Sequence, residues 1–82
     1  MKLPIIKHLQ KNNEAEKLEN TLEVLESFCE HRSVKDNEMD VVGELITNIA
    51  GAVEMDKMVK DGMSEKDAAN TFAKRVLGSI DQ

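Results

Sequence analysis

Cys29 and His31 are the side chains in this sequence best suited to bind a metal or to act as a nucleophile. A zinc site needs four ligands, and the remaining histidine, His8, stands at no recognised ligand spacing from them. Two residues that are two positions apart on a helix also point to nearly opposite faces. Cys29 falls in an apolar stripe, where a thiol behaves as a small hydrophobic group. The pattern predicts neither a metal site nor a reactive cysteine.

Asp56 is the second candidate for chemistry, because it projects into the apolar arc of a predicted helix. A buried, unpaired carboxylate is costly and can act as an acid or a base. Lys60, however, stands four residues further on, the spacing at which an ion pair forms on one helix face. We therefore interpret Asp56 as one half of a structural ion pair and not as a catalytic group.

The segment around Gly62 contains acidic residues and invites comparison with a calcium-binding EF-hand loop. That loop requires oxygen ligands at its first, third and fifth positions, before a glycine at the sixth. With Gly62 at the sixth position, Lys57 and Val59 occupy the first and third, so the comparison fails. The sequence also lacks a glycine-rich phosphate loop, a nucleophile elbow and a catalytic histidine pairing. We predict no catalytic, cofactor-binding or metal-ligating residue, and no enzyme activity.

Composition limits the partners of the chain. Its 82 residues suffice for one domain, 1–82, and 40% are hydrophobic with only two Phe, a selection that suits helices. The net charge of −5 disfavours nucleic acid and anionic membranes as partners. A single cysteine and the lack of a secretion signal favour a reducing compartment, and no apolar run approaches membrane length. We predict a cytoplasmic protein without a membrane partner.

Apolar residues at helical spacing predict four helices, of which the first two cover 4–11 and 14–30. Pro4 is tolerated in the first turn of the first helix. Asn13 is suited to cap the second helix. Along the second helix, apolar side chains recur every three or four residues and form one stripe: Ala15, Leu18, Leu22, Leu25 and Cys29.

The third helix is predicted over 37–61, with Asp36 as its cap, and the fourth over 65–78. Gly62 can adopt the left-handed conformation that ends a helix, and Ser64 can cap the helix that follows. Together these elements predict an all-α fold. It is a compact bundle of four helices with a short first helix and a long, central third helix.

The third helix is apolar over an arc of about 180°, whereas a helix packed on one side needs an arc of about 100°. It is either a central helix that contacts the other three, or part of the arc forms a homodimer interface, and the two readings are compatible. Gly43 and Gly51 each cost about 1 kcal/mol relative to alanine, which favours close approach of another helix. We predict helix packing or a dimer interface at Val42, Gly43, Ile46, Ile49, Ala50, Gly51 and Val53.

Three functions fit this sequence. The leading hypothesis is a non-catalytic protein–protein interaction module that acts as a homodimer or on another protein. The alternative is a nucleic-acid-binding regulator that uses the helix 65–78, where Lys66, Lys74 and Arg75 offer phosphate contacts. A third possibility is a small-molecule pocket lined by methionines, which adapt to varied ligands. The methionines in question are Met39, Met55, Met58 and Met63.

Three segments resemble a family of small proteins from the Bacteroidetes group of bacteria. These are the opening Met-Lys-Leu-Pro-Ile-Ile-Lys of residues 1–7, the central Gly-Glu-Leu-Ile of 43–46 and the closing Val-Leu-Gly-Ser-Ile of 76–80. The family has no assigned activity. The resemblance implies a bacterial cytoplasmic protein and gives no residue a chemical role.

Overall fold

The computed structural model describes the backbone of residues 2–80 and the side chains of residues 2–75, and all regular structure in that part is α-helical. The four helices are α1 (Leu3–Asn12), α2 (Ala15–Cys29), α3 (Asp36–Lys60) and α4 (Glu65–Ile80). They confirm the predicted all-α bundle, and every helix end lies within two residues of its predicted position. The side chains of Val76, Leu77 and Ile80, which belong to the apolar pattern of the fourth predicted helix, lie outside the described residues.

The long helix α3 packs against each of the other three helices. In its C-terminal half, the consecutive residues Gly51, Ala52 and Val53 are all buried. Successive side chains on a helix point about 100° apart, so burial of three in a row requires neighbours around more than half of the circumference. The wide apolar arc of α3 therefore belongs to a central helix, as the sequence predicts.

Two hydrogen bonds between α1 and α3 fix how these helices lie together. The backbone N–H of Lys2 donates to Oδ1 of Asn48 over 2.9 Å, and Nε2 of Gln10 donates to Oδ1 of Asp56 over 3.4 Å. Each bond joins residues that are 46 positions apart. The two donors and the two acceptors are both eight residues apart, so α1 runs parallel to α3 in a constant register.

Ile6 lies midway between these two hydrogen bonds and is fully buried. Opposite it, a Cβ atom added at Gly51 would lie 3.1 Å from Cδ1 of Ile6 and 2.9 Å from Cζ of Phe72 on α4. The missing side chain thus lets α1 and α4 both reach α3 at this level. Gly43, in contrast, has open space where its Cβ would be. Within the chain, the close approach predicted for both glycines is present only at Gly51.

Two predicted helix caps are wrong, for a local reason in each case. The side chain of Asn13 donates to the carbonyl of Leu9 over 3.1 Å, so it caps the end of α1, while α2 begins after Glu14. Asp36 is the first residue of α3 and not its cap. The backbone N–H of Lys35 donates to Oε1 of Glu38 over 2.9 Å. A side chain of the first turn therefore supplies the acceptor for the N–H that precedes the helix.

The predicted junction between α3 and α4 is confirmed. Gly62 has a φ of 109°, in the left-handed region. Its N–H donates to the carbonyl of Val59 and the N–H of Met63 to that of Met58, the pattern of a Schellman motif. Oγ of Ser64 then accepts the N–H of Asp67 over 3.1 Å and caps α4. One short segment therefore ends one helix and begins the next.

We predict that Gly51→Ala is less stable than Gly43→Ala by about 1–3 kcal/mol, the usual cost of overpacking a core. Both variants gain the same helix propensity, so the difference isolates the crowding of the new methyl group against Phe72 and Ile6. Urea unfolding followed by circular dichroism measures both. Equal stabilities would mean that the core around position 51 yields to a methyl group without cost.

Candidate interaction surface

Asp56 is mostly buried between α1 and α3, with 9% of the residue exposed. Its Oδ1 accepts the hydrogen bond from Gln10, and its Oδ2 lies 3.0 Å from Nζ of Lys60. The predicted pairing with Lys60 is confirmed. The approach of Lys60 lacks the angles of a hydrogen bond, so it compensates the charge of Oδ2 without saturating that oxygen. This carboxylate holds α1 against α3.

The other candidates for chemistry, Cys29 and His31, differ in burial. Cys29 is half-buried and His31 is exposed, and Nδ1 of His31 accepts the backbone N–H of Ser33 in the turn after α2. Among the described residues, no three His, Cys, Asp or Glu side chains come close enough together to hold a metal ion. The same part of the chain contains no helix that is both long and apolar enough to cross a membrane.

The four methionines proposed to line a pocket do not meet. Met55 and Met58 belong to the hydrophobic core, together with residues from all four helices. Met39 lies in the first turn of α3 and Met63 follows its last turn, so these two exposed side chains stand at opposite ends of a helix of 25 residues. A shared methionine pocket is therefore contradicted.

One basic residue of the fourth helix, Arg75, has an acidic partner. Arg75 pairs with Glu54 on α3, and Glu65 pairs with Lys11 on α1 over 3.5 Å. Lys66 and Lys74 are exposed. Each of the two ion pairs joins an acidic and a basic residue, so neither leaves a net positive charge for phosphate groups.

The residues predicted for helix packing or a dimer interface fall into three groups. Val42, Gly51 and Val53 are buried inside the bundle. Gly43, Ile46 and Ile49 are half-buried, and Ile49 packs against the core. Ala50 alone among the seven is exposed. Most of this predicted set thus contributes to packing within the chain.

Large apolar side chains are nevertheless exposed elsewhere, and five of them belong to α1, α2 and α3. We call this set the front face. Its exposed fractions are 42% for Ile5, 69% for Val24, 48% for Phe28, 63% for Val41 and 47% for Leu45. Sequence reasoning missed Ile5, Val24 and Phe28 as surface residues. The available signal was that Val24 lies about 120° away from the apolar stripe of α2.

Val41 and Leu45 are exposed because α1 is too short to cover them. They lie on the same row of α3 as Asn48 and Asp56, to which α1 donates hydrogen bonds. The parallel register puts the beginning of α1 beside Asn48, so the row continues for two turns beyond the reach of α1. This uncovered end of the row forms the floor of the front face.

Helix α2 contributes one wall of the front face. Leu18, near its beginning, shares a core with Ala52 and Val53 of the C-terminal half of α3, so α2 runs antiparallel to α3. With right-handed helices in this arrangement, the edge that carries Val24 and Phe28 lies on the side of α3 on which α1 docks. The opposite edge of α2 carries only acidic residues at the same spacing: Glu19, Glu23, Glu26 and Glu30.

Glu44 marks the border of the front face toward α4. Asn48, itself buried, donates from Nδ2 to Oε1 of Glu44 over 3.2 Å. This hydrogen bond is the main cause that lowers the pKa of Glu44, and the charge of Lys2 acts in the same direction. The hydrogen bond therefore stabilises the charged form of this carboxylate beside the start of α1.

The front face is large for a protein of this size. A fully exposed side chain of this kind presents about 150–200 Å², so the five together expose roughly 450 Å² of apolar surface. The largest contiguous apolar patches on monomers measure about 300–600 Å² and are often functional. The exposed apolar side chains of the front face are therefore the candidate interaction surface of the chain.

We predict that Lys60→Met destabilises the fold by about 1–2 kcal/mol, because it removes the cation beside the mostly buried carboxylate of Asp56. The double variant Lys60→Met/Asp56→Asn should recover most of this loss, since the charge is then gone and an acceptor for Gln10 remains. Lys57→Met, at an exposed position one turn earlier, is the matched control. Equal losses at the two lysines in urea unfolding would contradict the prediction.

Comparison with known proteins gives one match. No curated protein and no solved structure matches the chain. A family of unknown function, DUF6952, matches residues 1–81 of the 82. The match confirms the resemblance to a family without an assigned activity. Because it covers nearly the whole sequence, the chain belongs to this family of unknown function, DUF6952.

Proposed function

We propose that this chain is a non-catalytic protein–protein interaction module, and that it acts as a homodimer through the front face. The observation that carries the proposal is the exposure of five large apolar side chains on α1, α2 and α3. We expect the dimer to act in the cytoplasm of a bacterium of the Bacteroidetes group, given the resemblance and the single cysteine.

The size of the front face suits a standard interface. Such interfaces bury about 800 Å² on each partner, of which roughly 57% is apolar. The roughly 450 Å² of apolar surface on the front face therefore corresponds to the apolar part of one such interface. A smaller patch would support only a weak or transient contact.

Charge supports the use of the front face rather than another surface. Each copy carries a net charge of −5, so two copies repel one another at long range. The front face contains no charged residue among its five members, and the four glutamates of α2 lie on the opposite edge of that helix. Contact at the front face keeps these glutamates apart and outside the interface.

We predict that Leu45→Glu weakens dimerisation by at least about 100-fold, because it places a carboxylate in the middle of the apolar contact. Ala50→Glu is the matched control, since it adds the same charge to the same helix at an exposed position outside the front face. Sedimentation equilibrium over a wide concentration range gives both dissociation constants. If Ala50→Glu dissolves the dimer and Leu45→Glu does not, the interface lies on another side of α3.

Salt separates the homodimer from the alternative, a nucleic-acid-binding regulator that uses the helix 65–78. Dimerisation of a chain with a charge of −5 should tighten as salt rises from about 20 to 300 mM, because salt screens the mutual repulsion. Binding to nucleic acid weakens steeply over the same range. A gel-shift titration at about 20 mM salt, with wild type and Lys66→Glu, tests the alternative directly. A monomer that also ignores nucleic acid would overturn both functions.

A further inference from the structure

The side of α3 on which α1 docks has a step in it. Helix α1 covers α3 from the level of Asn48 onward, and the stretch before it, residues 36–47, carries the exposed Val41 and Leu45. The axes of packed helices lie about 8–10 Å apart, so α1 raises the surface by about that distance. We call the part formed by α1 the raised half, and residues 36–47 of α3 the lower half.

The charges of the two halves are opposite in sign. In the raised half every charged residue is a lysine: Lys2, Lys7 and Lys11. In the lower half every charged residue is acidic: Asp36, Glu38, Asp40 and Glu44. Each half also exposes apolar surface, Ile5 in the raised half and Val41 with Leu45 in the lower half. The two halves are therefore complementary to each other in charge and height.

Resting on the proposed homodimer, we infer that α1 of each copy docks on the lower half of α3 of the other copy. The second copy is the occupant because the chain itself supplies a helix of matching charge and length. Helix α1 has 10 residues, and the lower half runs over 36–47 from the start of α3. The two α1 helices then lie end to end between the two α3 helices.

The step selects the relative direction of the two α3 helices. With a two-fold axis parallel to α3, both α1 helices lie at the same level, so basic α1 faces basic α1 and both lower halves stay uncovered. With the axis perpendicular to α3, the two α3 helices run antiparallel and each raised half faces a lower half. Only the antiparallel dimer therefore covers Val41 and Leu45 in both copies.

The beginning of α1 determines the register of this contact. The two α1 helices share one layer and cannot overlap, so closest packing brings their first residues together at the level of Asn48. A residue of α1 then faces the residue of the other α3 that lies equally far before Asn48. Ile5 is at the level of residue 51 in its own copy, three positions past Asn48. It therefore faces Leu45 of the other copy, and two exposed apolar side chains cover one another.

The same register brings Lys7 of one copy to Glu44 of the other. Lys7 is at the level of residue 53 in its own copy, so it faces residue 43 of the other. Lys7 precedes by one turn Lys11, which pairs with α4 over 3.5 Å. Glu44 precedes by two turns Gly51, which faces α4. Rotation about an axis perpendicular to α3 keeps these α4 sides of the two copies together, so the lysine meets the carboxylate.

The junction between the two α1 ends is balanced in charge. The hydrogen bond from Asn48 is the main cause that lowers the pKa of Glu44, and the charge of Lys2 contributes in the same direction. Lys2 therefore lies near a carboxylate of its own copy. The two Lys2 side chains that approach the axis are accompanied by two Glu44 carboxylates, which offset their repulsion.

Cysteine cross-linking between two singly substituted chains tests the register. In a Cys29→Ser background, a mixture of Ile5→Cys and Leu45→Cys chains should form a disulfide-linked dimer under mild oxidation with copper phenanthroline, because a disulfide requires Cα atoms within about 7 Å. Each variant alone should stay largely unlinked, since its two cysteines lie six residues apart in level, about 9 Å along the helix axis. Ile5→Cys mixed with Ala50→Cys is the control for random collision.

Charge reversal tests the pairing of Lys7. Lys7→Glu should weaken dimerisation about 10-fold more than Lys57→Glu, because the dimer contains the pair twice. Lys57→Glu makes the same change in net charge at an exposed position on the opposite side of α3 from Val41. Adding Glu44→Lys to Lys7→Glu should recover most of the loss, since the two signs are then exchanged. Sedimentation equilibrium gives the dissociation constants.

The outcomes separate this inference from the proposed function. Linkage of Ile5→Cys alone means that α1 faces α1, and linkage of Leu45→Cys alone means that α3 faces α3. Either result, or a mixture that stays unlinked although Leu45→Glu disrupts the dimer, overturns the docking of α1 and leaves the homodimer standing. Equal effects of Lys7→Glu and Lys57→Glu overturn the ion pair. A wild-type chain that stays monomeric at about 1 mM overturns the homodimer and this inference with it.

Discussion

The packing of Ile6 of α1 and Phe72 of α4 against Gly51 of α3 is the contact on which the rest of the bundle depends. A helix backbone without a side chain at that level admits two neighbours at once, and both neighbours are large side chains of the core. On either side of Ile6, the hydrogen bonds of Lys2 to Asn48 and of Gln10 to Asp56 prevent α1 from sliding along α3. Hydrophobic contact thus holds α1 down, and polar contact determines its register.

The shortness of α1 then shapes the surface. Helix α1 has 10 residues and α3 has 25, so about 22 Å of α3 extends past α1 at a rise of about 1.5 Å per residue. The apolar row of α3 does not stop where α1 begins, and Val41 and Leu45 remain on it without cover. The exposure of Val41 and Leu45 is therefore a consequence of unequal helix lengths. The difference in length between α1 and α3 also explains why more residues of α3 are buried in its C-terminal half than in its N-terminal half.

Local rules predicted the helices well, because helix ends depend on residues close in sequence. Gly62 and Ser64 mark the junction of α3 and α4 through backbone conformation and capping, which a single segment contains. The periodicity of α3 also predicted its central position. It did not predict the burial of Gln10 and Asn48, since a polar side chain is buried only where a distant residue supplies its partner. The front face was not predicted, for a related reason. An apolar row shows that one side of a helix is to be covered, but it does not show how far the covering helix extends. Gly43 and Gly51 look alike in sequence, and only the direction of α1 and α4 distinguishes them.

The register of α1 with α3 also determines the order in which the molecule can assemble. A helix of 10 residues is marginal on its own in water, so α1 gains stability only when it docks. Its partners lie 46 positions further along the chain, and contacts between such distant residues form after local ones because closing the loop costs entropy. The hairpin of α2 and α3, whose connection is short, is the template that must exist first. During synthesis α1 leaves the ribosome before α2 and α3, so its docking site on α3 exists only once Asp56 has followed.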